Sequence, residues 1–237
     1  MRNTYGIAFF ILSLSLFAQR SGNYVGVTVS PAVTKFVHQT DQPGLSELYS
    51  EYNPFIGGSV GFSGLLKINN RFVLQSEFLY SIYSERNKRE VTFIDPDLGF
   101  VLNPESDGYI VFIDEYQCFS LPLLLNMYLN NQTNRWSWFL AAGVRGNFFT
   151  ARYFTVISNL ESINNDRRRI GSNEQQTRLF TVSGQVGFGL DYNRSRNFRM
   201  RVAPFYEQFI NSTYKSSSSV AQKPYALGLQ FGAYWSL

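Results

Sequence analysis

The sequence predicts an all-β protein: an eight-stranded antiparallel up-and-down barrel that crosses a membrane with its strands. Three observations carry this. Apolar and polar side chains alternate through eight stretches of strand length, the period of a sheet with one greasy and one wet face. The connections alternate as well, short after the second, fourth and sixth stretches and long after the first, third, fifth and seventh. That is the pattern of an outer-membrane barrel with short periplasmic turns and long outer loops. Finally, charged residues make up 16% of the 237 residues and aromatics 17%, whereas ordinary soluble domains carry about 25% charge. A low-charge surface must absorb the difference.

Residues 1–18 read as an export signal. Arg2 supplies the positive start, Tyr5 to Phe17 the apolar core, and Leu16-Phe17-Ala18 the cleavage site. The core is too short for the ~20 residues of a spanning helix. The barrel domain is then 19–237. Cys118 is the only cysteine, so no intramolecular disulfide forms, and none lies near the cut to take a lipid. The net charge of +4 is not focused in one stripe, which excludes a nucleic-acid footprint.

The first strand runs from Tyr24 to about Val33, with Val25, Val27 and Val29 opposite Gly26, Thr28 and Ser30. A loop from His38 to Pro54 follows. The second and third strands form a hairpin from Phe55 to Ser84. Ile56, Val60, Phe62 and Leu66 alternate with Gly57, Ser59, Gly61, Ser63 and Lys67; Phe72, Leu74, Phe78 and Tyr80 then alternate with Gln75, Glu77 and Ser81. A strict two-residue turn at Asn69-Asn70 would pair Ile68 with Arg71 and turn every apolar side chain of the third strand to the wrong face. The sequence therefore requires a three-residue turn, 69–71, with Asn70 or Arg71 expected near αL.

A charged loop from Arg86 to about Asp107 leads to the fourth strand, Tyr109 to Leu129, with an irregularity expected around Asp114-Glu115. The fifth strand, Trp136 to Phe149, sets Trp138, Leu140, Val144 and Phe148 against Ser137, Arg145 and Asn147. After a loop from Ala151 to Gln176, the sixth sets Phe180, Val186 and Phe188 against Thr181, Ser183, Gln185 and Asp191. The seventh sets Phe198, Met200, Val202 and Tyr206 against Arg199, Arg201 and Glu207. The eighth ends the chain, with Leu227, Leu229, Phe231 and Trp235 alternating with Gly228, Gln230 and Gly232. Aromatics gather at both ends: Tyr24, Tyr128, Trp136, Tyr192, Phe198 and Trp235 by the short turns, Tyr80, Tyr83, Tyr109, Phe149, Tyr153 and Tyr206 by the long loops, as interfacial girdles do.

A soluble barrel with an apolar interior has the same period. Composition decides against it. The polar set holds most strand glycines and serines plus Lys67, Glu77, Arg145, Arg201 and Glu207, while the apolar set is bulky and nearly uncharged. An eight-stranded barrel is only wide enough inside for side chains, so the small-and-charged set suits the lumen and the bulky set suits lipid. Those five residues form the expected lumen network, which plugs the barrel; a small pore is the alternative.

In this order, Leu-Phe-Ala-Gln at 16–19, Leu74-Gln75-Ser76-Glu77-Phe78-Leu79-Tyr80, Phe119-Ser120-Leu121-Pro122-Leu123-Leu124-Leu125, the strand centred on Gly143 and the stretch Arg201 to Asn211 resemble the PorT-like outer-membrane β-barrels of Bacteroidota. The resemblance implies an integral outer-membrane location and insertion by the barrel assembly machinery. One departure is Leu237, where such barrels end in an aromatic; the nearest here is Trp235. No activity is implied.

Candidate chemistry is sparse. His38 is the sole histidine, with Asp41 nearby, and reads as a solvated loop side chain rather than the base of an envelope lipid- or protein-modifying enzyme, since nothing marks a nucleophile. Asp95-Pro96-Asp97 reads as a turn rather than a cation site, and no cofactor is expected. Arg167, Arg168 and Arg169 could hold lipopolysaccharide phosphates, with a solvated basic loop as the plainer reading. The expected role is non-enzymatic and structural, or as a contact partner in adhesion, secretion or envelope assembly.

Overall fold

The computed structural model describes residues 22–40, 51–90, 93–95, 99–101, 108–160, 163–170, 177–195, 197–214 and 220–237. The expected signal at 1–18 and Asp41 and Asp97 lie outside them. The described strands are β1 (Tyr24–Thr40), β2 (Asn53–Lys67), β3 (Phe72–Glu90), β4 (Phe93–Asp95), β5 (Gly99–Val101), β6 (Tyr109–Tyr128), β7 (Trp136–Ser158), β8 (Asp166–Arg169), β9 (Phe180–Ser195), β10 (Phe198–Phe209) and β11 (Val220–Ser236). Neighbours pair antiparallel in the order β6-β3-β2-β1-β11-β10-β9-β7-β8, and β6 also pairs with β7. That last pairing closes eight strands into a ring, and β1 seals against β11 from Tyr24↔Ser236 to Thr40↔Val220. Closure removes the open edges that lipid cannot tolerate.

The faces are those the sequence predicts. Val27, Val29, Val60, Phe62, Phe119, Leu121, Leu123, Trp138, Leu140, Val186, Met200 and Phe231 all point out and are exposed, while Glu77, Arg145, Arg201 and Glu207 are 0–3% exposed. Because a single-residue slip would exchange the faces, the turn at 69–71 matters. Lys67 pairs with Val73 and Ile68 N–H bonds Phe72 O at 3.0 Å, so the loop holds three residues as required. The αL expectation for Asn70 or Arg71 fails, since no non-glycine among the described residues has a positive φ. Asn69 Oδ1 instead accepts from the N–H groups of Arg71 (2.8 Å) and Phe72 (2.9 Å), and this Asx turn does the bending.

The strands run further outward than the alternation alone delimits. A tilted strand needs about 9–11 residues to cross the bilayer, whereas β7 has 23 and β6 has 20. The expected loops beginning at His38, Arg86 and Ala151 thus start inside β1, β3 and β7. The β6–β7 register shifts between Gln117 and Cys118, where Thr150 of β7 is the extra residue; Asp114-Glu115 of β6 is regular. β8 pairs with the outer end of β7, Tyr153↔Arg169 to Val156↔Asp166, and β4 with β5 makes a small separate hairpin.

One aromatic of the expected inner girdle and two of the expected outer girdle face the lumen instead. Tyr128, Tyr83 and Phe149 are buried, because they fall on the inward parity of their strands. Trp136 against Tyr192 and Phe198 against Trp235 remain paired near the short turns, with ring centroids 4.5 and 5.5 Å apart.

Candidate functional site

The interior is filled in layers. Inward positions on several strands are glycine: a Cβ on Gly189 would sit 2.3 Å from the Phe139 ring, and one on Gly228 2.7 Å from the Phe205 ring. Long side chains from other strands therefore lie across the bore rather than beside a neighbour of equal size.

Nearest the short turns is an anion shared by two arginines. Arg201 Nε donates to Asp191 Oδ1 at 2.7 Å and its Nη2 to Oδ2 at 3.0 Å. Arg199 Nη1 reaches the same Oδ2 at 3.3 Å, and Tyr128 O–H also donates to it. The Arg201 guanidinium lies 4.1 Å from the Phe139 ring centroid. Its Nη1 donates to Gln75 Oε1, and Gln75 Nε2 passes the chain on to Glu77 Oε1 at 2.7 Å. Gln230 Nε2 donates to that oxygen from across the barrel at 2.8 Å.

A second buried pair lies toward the outside. Arg145 Nη1 donates to Glu207 Oε2 at 2.9 Å. Tyr83 O–H and Ser183 O–H both donate to Oε1. Above it Phe36, Tyr83, Tyr116, Phe149, Phe205 and Phe209 pack as an aromatic layer, with Phe36 edge-on to Tyr116 at 5.3 Å. Bidentate Arg152–Asp114, at 2.8 and 2.6 Å, and His38–Glu85, at 2.8 Å, stand at the outer end. Charges in a dry interior are tolerated only when paired and hydrogen-bonded, and four carboxylates here meet that condition.

Four of the five expected lumen residues are in the bore. Lys67 is not part of the network: it is half-buried at the end of β2, and its backbone N–H bonds Asn23 Oδ1. Nor does Glu77 bond an arginine; among the described residues its Oε2 has no partner. Asp191 is the anion that takes Arg201, and sequence reasoning missed it along with Arg199. The signal was present: both lie on the polar parity, and Asp191 stands directly opposite Arg201 in the β9–β10 hairpin, a pairing that the register of the short turn encodes. His38 is corrected too: its side chain is 4% exposed, inside β1 and bonded to Glu85, because β1 extends past the expected strand end.

The three rim arginines sit in β8 rather than a loop, and all are exposed. Alternation divides them, with Arg167 and Arg169 on one face and Arg168 on the other. Arg167 bonds Glu115 at 3.0 Å and lies 4.6 Å from the Tyr153 ring, on the outward face. Among the described residues no cluster of His, Cys, Asp and Glu could hold a metal ion.

A closed ring with a bulky apolar exterior and a charged, packed interior is an integral outer-membrane β-barrel. The chain belongs to the outer membrane protein beta-barrel domain family, whose model matches residues 17–237. Among solved structures it is similar to Neisserial surface protein A (13% identity, covering 92% of this chain and 98% of that one, TM-score 0.45). It is also similar to OprG of Pseudomonas aeruginosa (13%, 92% and 98%, 0.43) and to the outer membrane protease OmpT of Escherichia coli (9%, 91% and 96%, 0.46). No curated protein sequence matches it.

Proposed function

We propose that this is a non-enzymatic barrel with a plugged lumen that acts through its outer rim, as a contact partner in adhesion, secretion or envelope assembly, and that it belongs with the PorT-like barrels of Bacteroidota. The plug rests on one observation: the Asp191, Glu207 and aromatic layers succeed one another along the bore, each tied to opposite walls. Open aqueous channels belong to much larger barrels. The rim reading rests on Arg167 and Tyr153, which present a cation and a ring on the outward face, where lipopolysaccharide phosphates would lie. Guanidinium suits phosphate by its paired donors.

Conductance in planar bilayers tests the plug. Neither the wild type nor Glu77→Gln passes steady unit currents; steady currents altered by Glu77→Gln would overturn it. Lipopolysaccharide binding tests the rim, where Arg167→Ala/Arg168→Ala/Arg169→Ala lowers affinity at low salt and less so at high salt. An envelope-modifying activity lost in His38→Ala would overturn the non-enzymatic reading.

A further inference from the structure

We propose that the lipid-facing wall carries a seat for one acyl chain of a glycerophospholipid from the periplasmic leaflet, centred on Gly64 and Ser76. Outward positions read Phe62, Gly64, Leu66 on β2 and Leu74, Ser76, Phe78 on β3. Gly64 pairs with Ser76 on one side and Val25 on the other. Two of the smallest residues thus stand side by side in a band that is mostly bulky. A cavity of about 560 Å³ opens over them, walled by Val27, Phe62, Phe78 and Trp235. A Cβ on Gly64 would meet only Ser76 O, at 3.9 Å, whereas one on inward-facing Gly61 would collide at 2.0 Å. The cavity is bordered by the outward side chains of Val27, Phe62, Phe78 and Trp235, which places this free space on the lipid side of the wall.

The occupant follows from where the space is. It is continuous with the face the membrane covers, so hydrocarbon, not water, borders it. An empty dent there would forfeit dispersion contacts along its whole lining. Gly64 lies four residues before Ile68 and Ser76 four after Phe72, the pair that closes a short periplasmic turn. At ~3.3 Å per residue this is about 13 Å along each tilted strand, less than half of the ~30 Å hydrocarbon layer. The chain that reaches it comes from the periplasmic leaflet, which is glycerophospholipid. A methylene fills about the volume of a water, ~30 Å³, so the cavity takes on the order of fifteen to twenty carbons, one acyl chain.

The full barrel is reconstituted with phosphatidylethanolamine, released into mild detergent and weighed by native mass spectrometry. The wild type retains one phospholipid. Gly64→Leu/Ser76→Leu lowers the retained fraction at least tenfold, while Gly184→Leu, at an outward glycine with nothing within 4 Å of its Cβ, leaves it unchanged. Equal retention in the double variant, retention of lipid A instead, or a dimer in place of the lipid adduct would overturn the proposal. Should the double variant not fold, the wild type is cross-linked to a diazirine-tagged phosphatidylethanolamine. Label concentrated in 62–66 and 74–78 supports the seat, and label spread evenly around the band overturns it.

Discussion

Arg201 and Arg167 are both arginines bonded to a carboxylate, at 2.7 and 3.0 Å, but they stand in different media. Arg201 and Asp191 are each 0% exposed in their side chains; Arg167 and Glu115 are 54% and 21% exposed. Water at the rim screens the pair and solvates either partner alone. Inside the bore neither partner has another source of solvation. The same contact is therefore a condition of folding in one place and an ornament of the surface in the other. What the lumen demands is pairing, and what the rim offers is a cation whose partner water can replace.

The widest break of this contrast is at Asp191. Asp191→Ala leaves Arg199 and Arg201 without their shared anion, and uncompensating a buried charge costs about 3–5 kcal/mol. The expected outcome is a fall of that size in urea unfolding of the vesicle-embedded barrel, or loss of heat-modifiable migration on gels. A change under about 1 kcal/mol would mean that water reaches the bore.

Glu207 sharpens the reason. Glu207→Leu alone orphans Arg145 and should cost a similar ~3–5 kcal/mol, with Tyr83 and Ser183 losing their acceptor. Arg145→Leu/Glu207→Leu removes both charges and should recover most of that loss, because a packed apolar pair often matches a buried ion pair. If the double variant is as unstable as the single one, the pair has a role beyond mutual neutralisation. Glu77→Gln comes next in size. Its carboxylate has only two glutamine donors and one oxygen without a partner, so neutralising it should leave stability equal or slightly higher, within about 1 kcal/mol.

How far the sequence carries this picture depends on what each inference needs. Which side chains face in or out needs only the period of two and a correct turn count. Hence Val27 and Glu77 are assigned from sequence, and the three-residue loop at 69–71 with them. The seal of β1 on β11 follows from the number of strands. Arg201 and Asp191 are direct partners in the β9–β10 hairpin, so that pair is within reach of the turn register. Arg145 and Glu207 meet with β9 between them, which needs tilt and stagger that no local pattern encodes. Strand ends are hidden for a related reason. Polar residues such as His38 and Arg152 read as loop, yet they continue strands past the bilayer, where both faces can be polar. Tyr128 reads as girdle by its place near a turn, whereas its parity turns it inward, and only the structure shows its hydroxyl on Asp191.

The smallest expected effect is also the one that separates structure from recognition. Arg167→Ala removes a pair that water already competes for, so the change in unfolding free energy should be about 0–1 kcal/mol. Its partner Glu115 is left at a wet surface and needs no replacement. Lipopolysaccharide affinity should nevertheless fall, because Arg167 and Tyr153 share the outward face. Arg167→Lys keeps the charge but not the paired donors of the guanidinium, so it should restore binding only in part. Surface plasmon resonance on the barrel in nanodiscs, read beside urea unfolding of the same samples, separates the two effects. Unfolding and binding that move together would place Arg167 with Arg201, as a residue the fold depends on. Binding that moves alone keeps the rim and the lumen as two uses of one side chain.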